Sequence, residues 1–196
     1  WIPDHFIVRQ ESGTIRGVWE GWTTVAGLAA ATSRITIGIF VTCLGWRHPA
    51  VVAKMAENVD EISNGRFVLG VGAGWHKPEY DMFGFPFDHR VDRFENAMEI
   101  ITPLLREGRA DATGPYFEVH QAVNLPRGPR GAEGGPIILV GTDGPRMMRL
   151  TARYADAWNS SWHHDPSTLV PLLERLDEAC REVGRDPATL IRTAGT

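Results

Sequence analysis

The sequence predicts an α/β fold assembled from parallel βα units. Short apolar, β-branched runs alternate along the chain with amphipathic helical patterns. The strand runs carry no polar alternation, as expected of strands buried on both faces. The residues with chemical potential fall just past the C-terminal ends of those runs, the edge at which α/β sheets bind ligands.

The elements follow in order. Residues 1–5 read as the end of a strand. A helix fits roughly 17–32, with Val18, Trp22, Val25, Leu28 and Ala29 on one face. The run "RITIGIFV" at 34–41 is a strand. Pro49 suits the first turn of a helix reaching about Ile62, and "SNGR" supplies its stop. "RFVLGVG" is the next strand, and a loop rich in Gly, Pro and aromatics covers roughly 74–89. A helix at about 90–107 aligns Val91, Phe94, Met98, Ile101, Leu104 and Leu105. Residues 108–135 are polar and irregular, with a short hairpin around "YFEVHQAV", and read as an insertion. "PIILVG" (136–141) is a strand, Pro145 opens a helix, and "ADAWNSSW" is a short strand. A last helix spans 166–183, and "LIRTAG" starts another strand. About four full strands make either a doubly wound sheet or an incomplete barrel.

With 43% apolar and 22% charged residues, 196 residues suffice for one sizeable core. A net charge of −4 gives no electrostatic case for nucleic acid. No apolar stretch has the length of a membrane span, and no secretory leader is expected. Cys43 and Cys180 make neither a disulfide framework nor a metal signature, so a reducing cytoplasm is the expected location.

Three stretches carry candidate chemistry. "GVGAGWHKPEY" (70–80) spaces its glycines as G-x-G-x-G, not as the dinucleotide fingerprint G-x-G-x-x-G, and Pro78 is poor company for a pyrophosphate helix. Glycines at a site mouth that let a flat ring near the backbone, or a crowded packing bend, both fit. "VGTDGPRMM" is the better phosphate candidate, because a strand ends at Gly141 and Pro145 starts a helix whose free amides face the same edge. Arg146 could add a charge; the plain alternative is a capped turn with Asp143 as N-cap. "PDHF" puts Asp4 and His5 at a strand end, where an imidazole serves as general acid/base or holds a cofactor ring, or is simply structural. His163, His164 and Asp165 read as a solvated loop, and no metal site is expected.

"WIPDHF", "RITIGIFVTCLGWRHPAVVAKMAENVDEISNGRFVLGVGAGWHKPEYDMFGFPF", "RVDRFENAMEII" and "PIILVGTDGPRMMRLTARYADAWNSSW" resemble, in order, the luciferase-like monooxygenase superfamily. Within it they most resemble the flavin- or coenzyme F420-dependent oxidoreductases. The resemblance implies a TIM (β/α)8 barrel, present here as an incomplete barrel without its first strand and last part. It implies one domain over 1–196 with the insertion at 108–135.

The resemblance also implies roles. Asp4 and His5 match residues facing the flavin or deazaflavin ring, with His5 at the catalytic position. Ile39 and Phe40 fall where relatives often carry a non-proline cis bond beneath the ring. Ala73, Gly74, Trp75 and His76 match the segment bordering the ring. Gly141, Thr142, Asp143 and Gly144 match the phosphate turn. An acid found in some F420-dependent sugar phosphate dehydrogenases is replaced by Trp75.

The expected activity is hydride transfer between coenzyme F420 and a small organic substrate. Trp75, Phe83 and Trp162 would wall the substrate pocket, and Lys77, Arg127, Arg130 and Arg146 would favour the polyglutamate tail of F420. One alternative is an FMN-dependent monooxygenase served by a flavin reductase. A different class is a non-catalytic flavin-binding relative. A homodimer is expected, with Trp19, Trp22, Val51 and Met55 as interface or core.

Overall fold

In the computed structural model, which describes residues 1–195, the chain enters at Ile2, which bridges Ile39 in parallel. The Ile2 amide donates to Gly38 O at 3.0 Å, and Phe40 N donates back to Ile2 O at 2.8 Å. A small antiparallel hairpin follows, β1 (Ile7–Arg9) with β2 (Ile15–Gly17). Helix α1 (Gly21–Ala31) starts four residues later than the pattern predicts, because Glu20 caps it through the amides of Trp22 and Thr23. Strand β3 (Ile37–Cys43) leads to α2 (Pro49–Ser63), which stops at Asn64 in the left-handed conformation. Strand β4 (Phe67–Gly72) comes next.

The predicted loop at 74–89 contains a short helix, α3 (Lys77–Phe83), started by Pro78 and closed by Gly84 at φ 76°. Then come α4 (Arg90–Arg106) and a hairpin of β5 (Arg109–Thr113) and β6 (Glu118–Val123). The hairpin is longer than the pattern of 116–123 indicates. The chain closes with β7 (Ile137–Gly141), α5 (Pro145–Tyr154), β8 (Ala157–Ser160), α6 (Val170–Glu182) and β9 (Ile191–Ala194).

The main sheet has the order β3-β4-β7-β8-β9, with every pair parallel. Each new strand adds on the same side of the last. A doubly wound sheet reverses its order at a switch point, whereas a barrel does not. The sheet is thus the barrel type, present as an open arc.

The helices cover one face. Trp22 and Val25 of α1, Val52 and Ala56 of α2, Phe94 and Ile101 of α4 and Leu150 of α5 pack on Ile37, Ile39, Phe67, Leu69, Val71, Ile138 and Val140. Met148 and Trp158 pack with Leu172 and Leu176 of α6. The opposite face carries Phe40, Val41, Val68, Ile137, Leu139 and Ala157. Arg66 fastens the lower edge, donating to Ala29 O at 3.0 Å, Thr32 O at 2.7 Å, Ile35 O at 2.6 Å and Ser63 O at 2.7 Å.

The first two glycines of "GVGAG" meet β3 directly. A Cβ on Gly70 would stand 2.0 Å from Ile39 O, and one on Gly72 would stand 2.7 Å from a Val41 methyl. The crowded-bend reading therefore describes them. Gly70→Ala should lower unfolding stability by about 3 kcal/mol, since backbone must move to admit the methyl. Gly27→Ala, in an exposed stretch of α1 with nothing within 4 Å, should raise it by about 0.5–1 kcal/mol. Urea unfolding of the two variants reads both signs.

Candidate functional site

The C-terminal ends of β3, β4, β7 and β8 define one edge, and the segment after Ile2 runs along it. Asp4 is buried there at 3% exposure. Its carboxylate accepts from Arg47 Nη1 at 2.7 Å and Nη2 at 3.0 Å, and from the Cys43 amide at 3.0 Å. Arg47 also pairs with Glu20 at 2.9 Å. Burial pushes the Asp4 carboxyl above the ordinary aspartate range, and Arg47 and the Cys43 amide oppose that push. Both oxygens are occupied, so Asp4 anchors the segment to the end of β3 through the Cys43 amide and to the turn beyond it through Arg47.

His5 remains partly accessible, with its side chain 21% exposed. Its ring lies edge-on to Trp46, Trp75 and His76, at centroid distances of 6.4, 5.8 and 6.1 Å. Its Nδ1 is 2.7 Å from Glu79 Oε2, and Glu79 is fully buried in α3. Sequence reasoning missed Glu79. Pro78 and an acid in the following position are the signal of a helix start that would have found it.

The residues expected to border a ring sit close by. His76 is buried and accepts the Arg9 amide on Nε2 at 3.2 Å, which ties β1 to the edge. Trp75 is 68% exposed. Ala73 O accepts from the Tyr80 hydroxyl at 3.1 Å, and Gly74 O accepts from Arg90 Nη1 at 2.6 Å. Gly74 has φ 78°, and a Cβ there would collide with Tyr80 and Cys43. The Cys43 thiol lies 2.8 Å from the Tyr80 hydroxyl, and burial pushes that thiol up to about 11.

Two expectations move. The cis peptide lies between Phe40 and Val41, one residue on from Ile39–Phe40. Ile39 is fully buried on the helix-covered face, while Phe40 and Val41 lie on the open one.

At β7, Thr142 O accepts from Trp158 Nε1 at 2.7 Å, and Thr142 Oγ1 accepts from the Gly144 amide at 3.3 Å. Gly144, not Asp143, is the N-cap of α5, and no side chain caps that helix. Asp143 instead accepts a hydrogen bond from the Ser160 hydroxyl. Nothing lies within 4 Å of where a Gly144 Cβ would stand. Uncapped first-turn amides beside open space have the donor chemistry and the room for a phosphate.

The four cations expected to form a basic groove are engaged elsewhere. Arg146 pairs with Asp92 at 2.5 Å and Glu95 at 2.8 Å, and holds the Asp92 carboxyl below the ordinary range. Arg127 pairs with Glu57 at 2.9 Å, Arg130 pairs with Asp60 and Phe67 O, and Lys77 pairs with Asp81 at 2.6 Å. Arg130 therefore stands at the start of β4, the opposite end from the site. His163 contacts Ser160 at 2.5 Å and Thr168 at 2.8 Å. Trp22 belongs to the core, while Trp19, Trp162 and Val51 are exposed.

A parallel sheet whose strands add in one direction is of the α/β-barrel class, the architecture that binds ligands at its strand C-termini. The luciferase-like monooxygenase family model matches residues 1–195, and the chain belongs to that family. A phthiodiolone/phenolphthiodiolone dimycocerosates ketoreductase from Mycobacterium sp. (strain JLS) is 32% identical, over 97% of this chain and 54% of its own. An F420-dependent secondary alcohol dehydrogenase, solved with an F420–acetone adduct, superposes with TM-score 0.83 at 24% identity, covering 99% of this chain and 58% of that one. The FMN-bound oxygenating constituent of 3,6-diketocamphane monooxygenase from Pseudomonas putida gives 0.70 at 22% identity, covering 87% and 51%. The chain spans about half the length of the curated relatives it matches. No helix among the described residues is long and apolar enough to cross a membrane.

Arg47→Met should lower stability by about 3–5 kcal/mol, because it strands the buried Asp4 carboxylate. Thermal or urea unfolding checks this.

Proposed function

We propose that the chain carries the cofactor edge of an oxidoreductase that moves a hydride between coenzyme F420 and a small organic substrate. The observation that carries the reading is the placement of a partly exposed His5 on the same sheet edge as the uncapped start of α5. The 32% identity to a ketoreductase supports hydride chemistry. The likeness to the F420-dependent alcohol dehydrogenase supports the cofactor only as far as a shared fold can.

The residues present fit such a group. Gly141 to Gly144 and the first-turn amides of α5 would hold its phosphate. Ala73, Gly74, Trp75 and His76 would border its ring, above the apolar face that Val41 and Leu139 supply. A bound deazaflavin supplies the carbon centre that accepts or donates hydride. His5 exchanges a proton with the substrate's polar atom. Trp75, exposed beside it, shields the substrate from water. Ile39 and Asp4 act at one remove, as support beneath Phe40 and beside Cys43.

The FMN-dependent, reductase-coupled monooxygenase is the second reading. The pairing of Lys77, Arg127, Arg130 and Arg146 favours it, since it removes the basic groove that a polyglutamate tail would use.

Titrating the full-length protein with oxidised F420 and with FMN, followed by cofactor fluorescence, separates the readings. F420 binding weakened at least about tenfold by Gly144→Glu supports the proposal, because the added carboxylate opposes a phosphate there. FMN preference selects the monooxygenase. Binding of neither overturns both. With F420 bound, His5→Ala should lower kcat by about 10²–10⁴-fold and leave the Kd for cofactor near wild type.

A further inference from the structure

We propose that Glu79 is the positioning residue of His5, holding the imidazole as the Nδ1–H tautomer so that Nε2 is the proton acceptor of the site. The inference rests on the oxidoreductase reading for its role in turnover, and on geometry alone for the tautomer.

The geometry is over-determined. Glu79 is fully buried, so water does not compete for its oxygens. Oε1 accepts the Phe6 amide at 2.6 Å and the Ile7 amide at 3.1 Å. An oxygen accepting two amide hydrogens carries none of its own. Oε2 then faces His5 Nδ1 at 2.7 Å as an acceptor. The opposite tautomer would set a bare nitrogen lone pair against that oxygen. The proton therefore sits on Nδ1.

Three further contacts keep the ring there. Trp46, Trp75 and His76 flank it edge-on. His76 has no side-chain hydrogen bond to Glu79 among the described residues; its Nε2 accepts the Arg9 amide. The same carboxylate also fixes residues 6 and 7, the chain that carries the ring. His5 Nε2 has no hydrogen-bond partner among the described residues. When a substrate hydroxyl meets it, the O–H bond breaks, its electron pair stays on oxygen, and an N–H bond forms at Nε2. The imidazolium so formed keeps its Nδ1–H on the Glu79 carboxylate, a charge-assisted bond.

The test uses full-length protein labelled with 15N-histidine, read by long-range nitrogen–proton NMR without cofactor. Wild type should show His5 with a protonated Nδ1 and a bare Nε2. In Glu79→Gln, the remaining amide oxygen keeps the Phe6 and Ile7 amides, the NH2 group turns to His5 as a donor, and the tautomer should invert. That variant should lose kcat by about 10²–10⁴-fold with KM within about threefold of wild type. A wild-type His5 protonated at Nε2 overturns the proposal, even if Glu79→Gln fails to fold. So does a folded Glu79→Gln that keeps wild-type kcat. Wild-type protein that shows the expected tautomer but turns over with neither F420 nor FMN overturns the oxidoreductase reading and upholds the assignment of the tautomer.

Discussion

The open face of the parallel sheet depends on one constraint, that all the covering helices lie on the other face. Burying Phe67, Leu69, Val71, Ile138 and Val140 under them fixes which residue of each strand faces away, because side chains alternate along a strand. Gly70, Gly72 and Gly141 consequently fall on the open face, where Val41 crosses them. A one-residue slip of β4 would place Val71 in that position and expel it from the core. The apolar packing thus sets the register, and the register sets which residues Val41 meets on the open face.

The edge of that sheet is organised by carboxylates, not by the apolar core. Asp4 reaches Arg47 and Cys43, and Glu79 reaches His5, Phe6 and Ile7. Each burial is costly unless every oxygen is matched: backbone amides and the Arg47 guanidinium match those of Asp4 and Glu79 Oε1, and the His5 imidazole matches Glu79 Oε2. The result is a segment, residues 4–7, pinned from two sides. Helix α3 supplies one pin, and its next residue, Tyr80, reaches Ala73 O and Cys43. A seven-residue helix therefore couples the loop at 73–76 to the histidine.

The sequence made the sheet and its long helices legible because their apolar periods are local. The strands at Phe67–Gly72 and Ile137–Gly141 and the helices from Pro49 and Arg90 needed no distant partner to be seen. The parts that escaped are held by distant partners. Helix α3 hides among aromatics because Tyr80 packs against Trp46 and Cys43 from β3 and its turn. The β1–β2 hairpin has one short turn signal, "ESGT", and three-residue strands. His5 was visible as a candidate, but its partner stands 74 residues away, and the Asp4 partner stands 43 away. Residue type points to chemistry; only the fold shows which atoms are already spoken for.

That distinction bears most on the arginines. Composition offers four cations for an anionic tail, and the fold pairs every one of them with a carboxylate. An anion at α5 would then have to be met by backbone amides and by the Thr142 hydroxyl, which are neutral dipoles. Exposed pairs such as Arg146 with Asp92 and Glu95 are worth little each, so they can reorganise at small cost. Binding that draws Arg146 away from those partners would weaken steeply with salt, because a formal charge pair is screened. Binding through the helix start alone would weaken less, because that end carries only about half a unit charge to be screened. The salt dependence of cofactor affinity therefore reports which of the two the phosphate uses. Backbone recognition is the arrangement in which α4 and α5 keep their ion pairs, with the positive end of the α5 dipole meeting the anion.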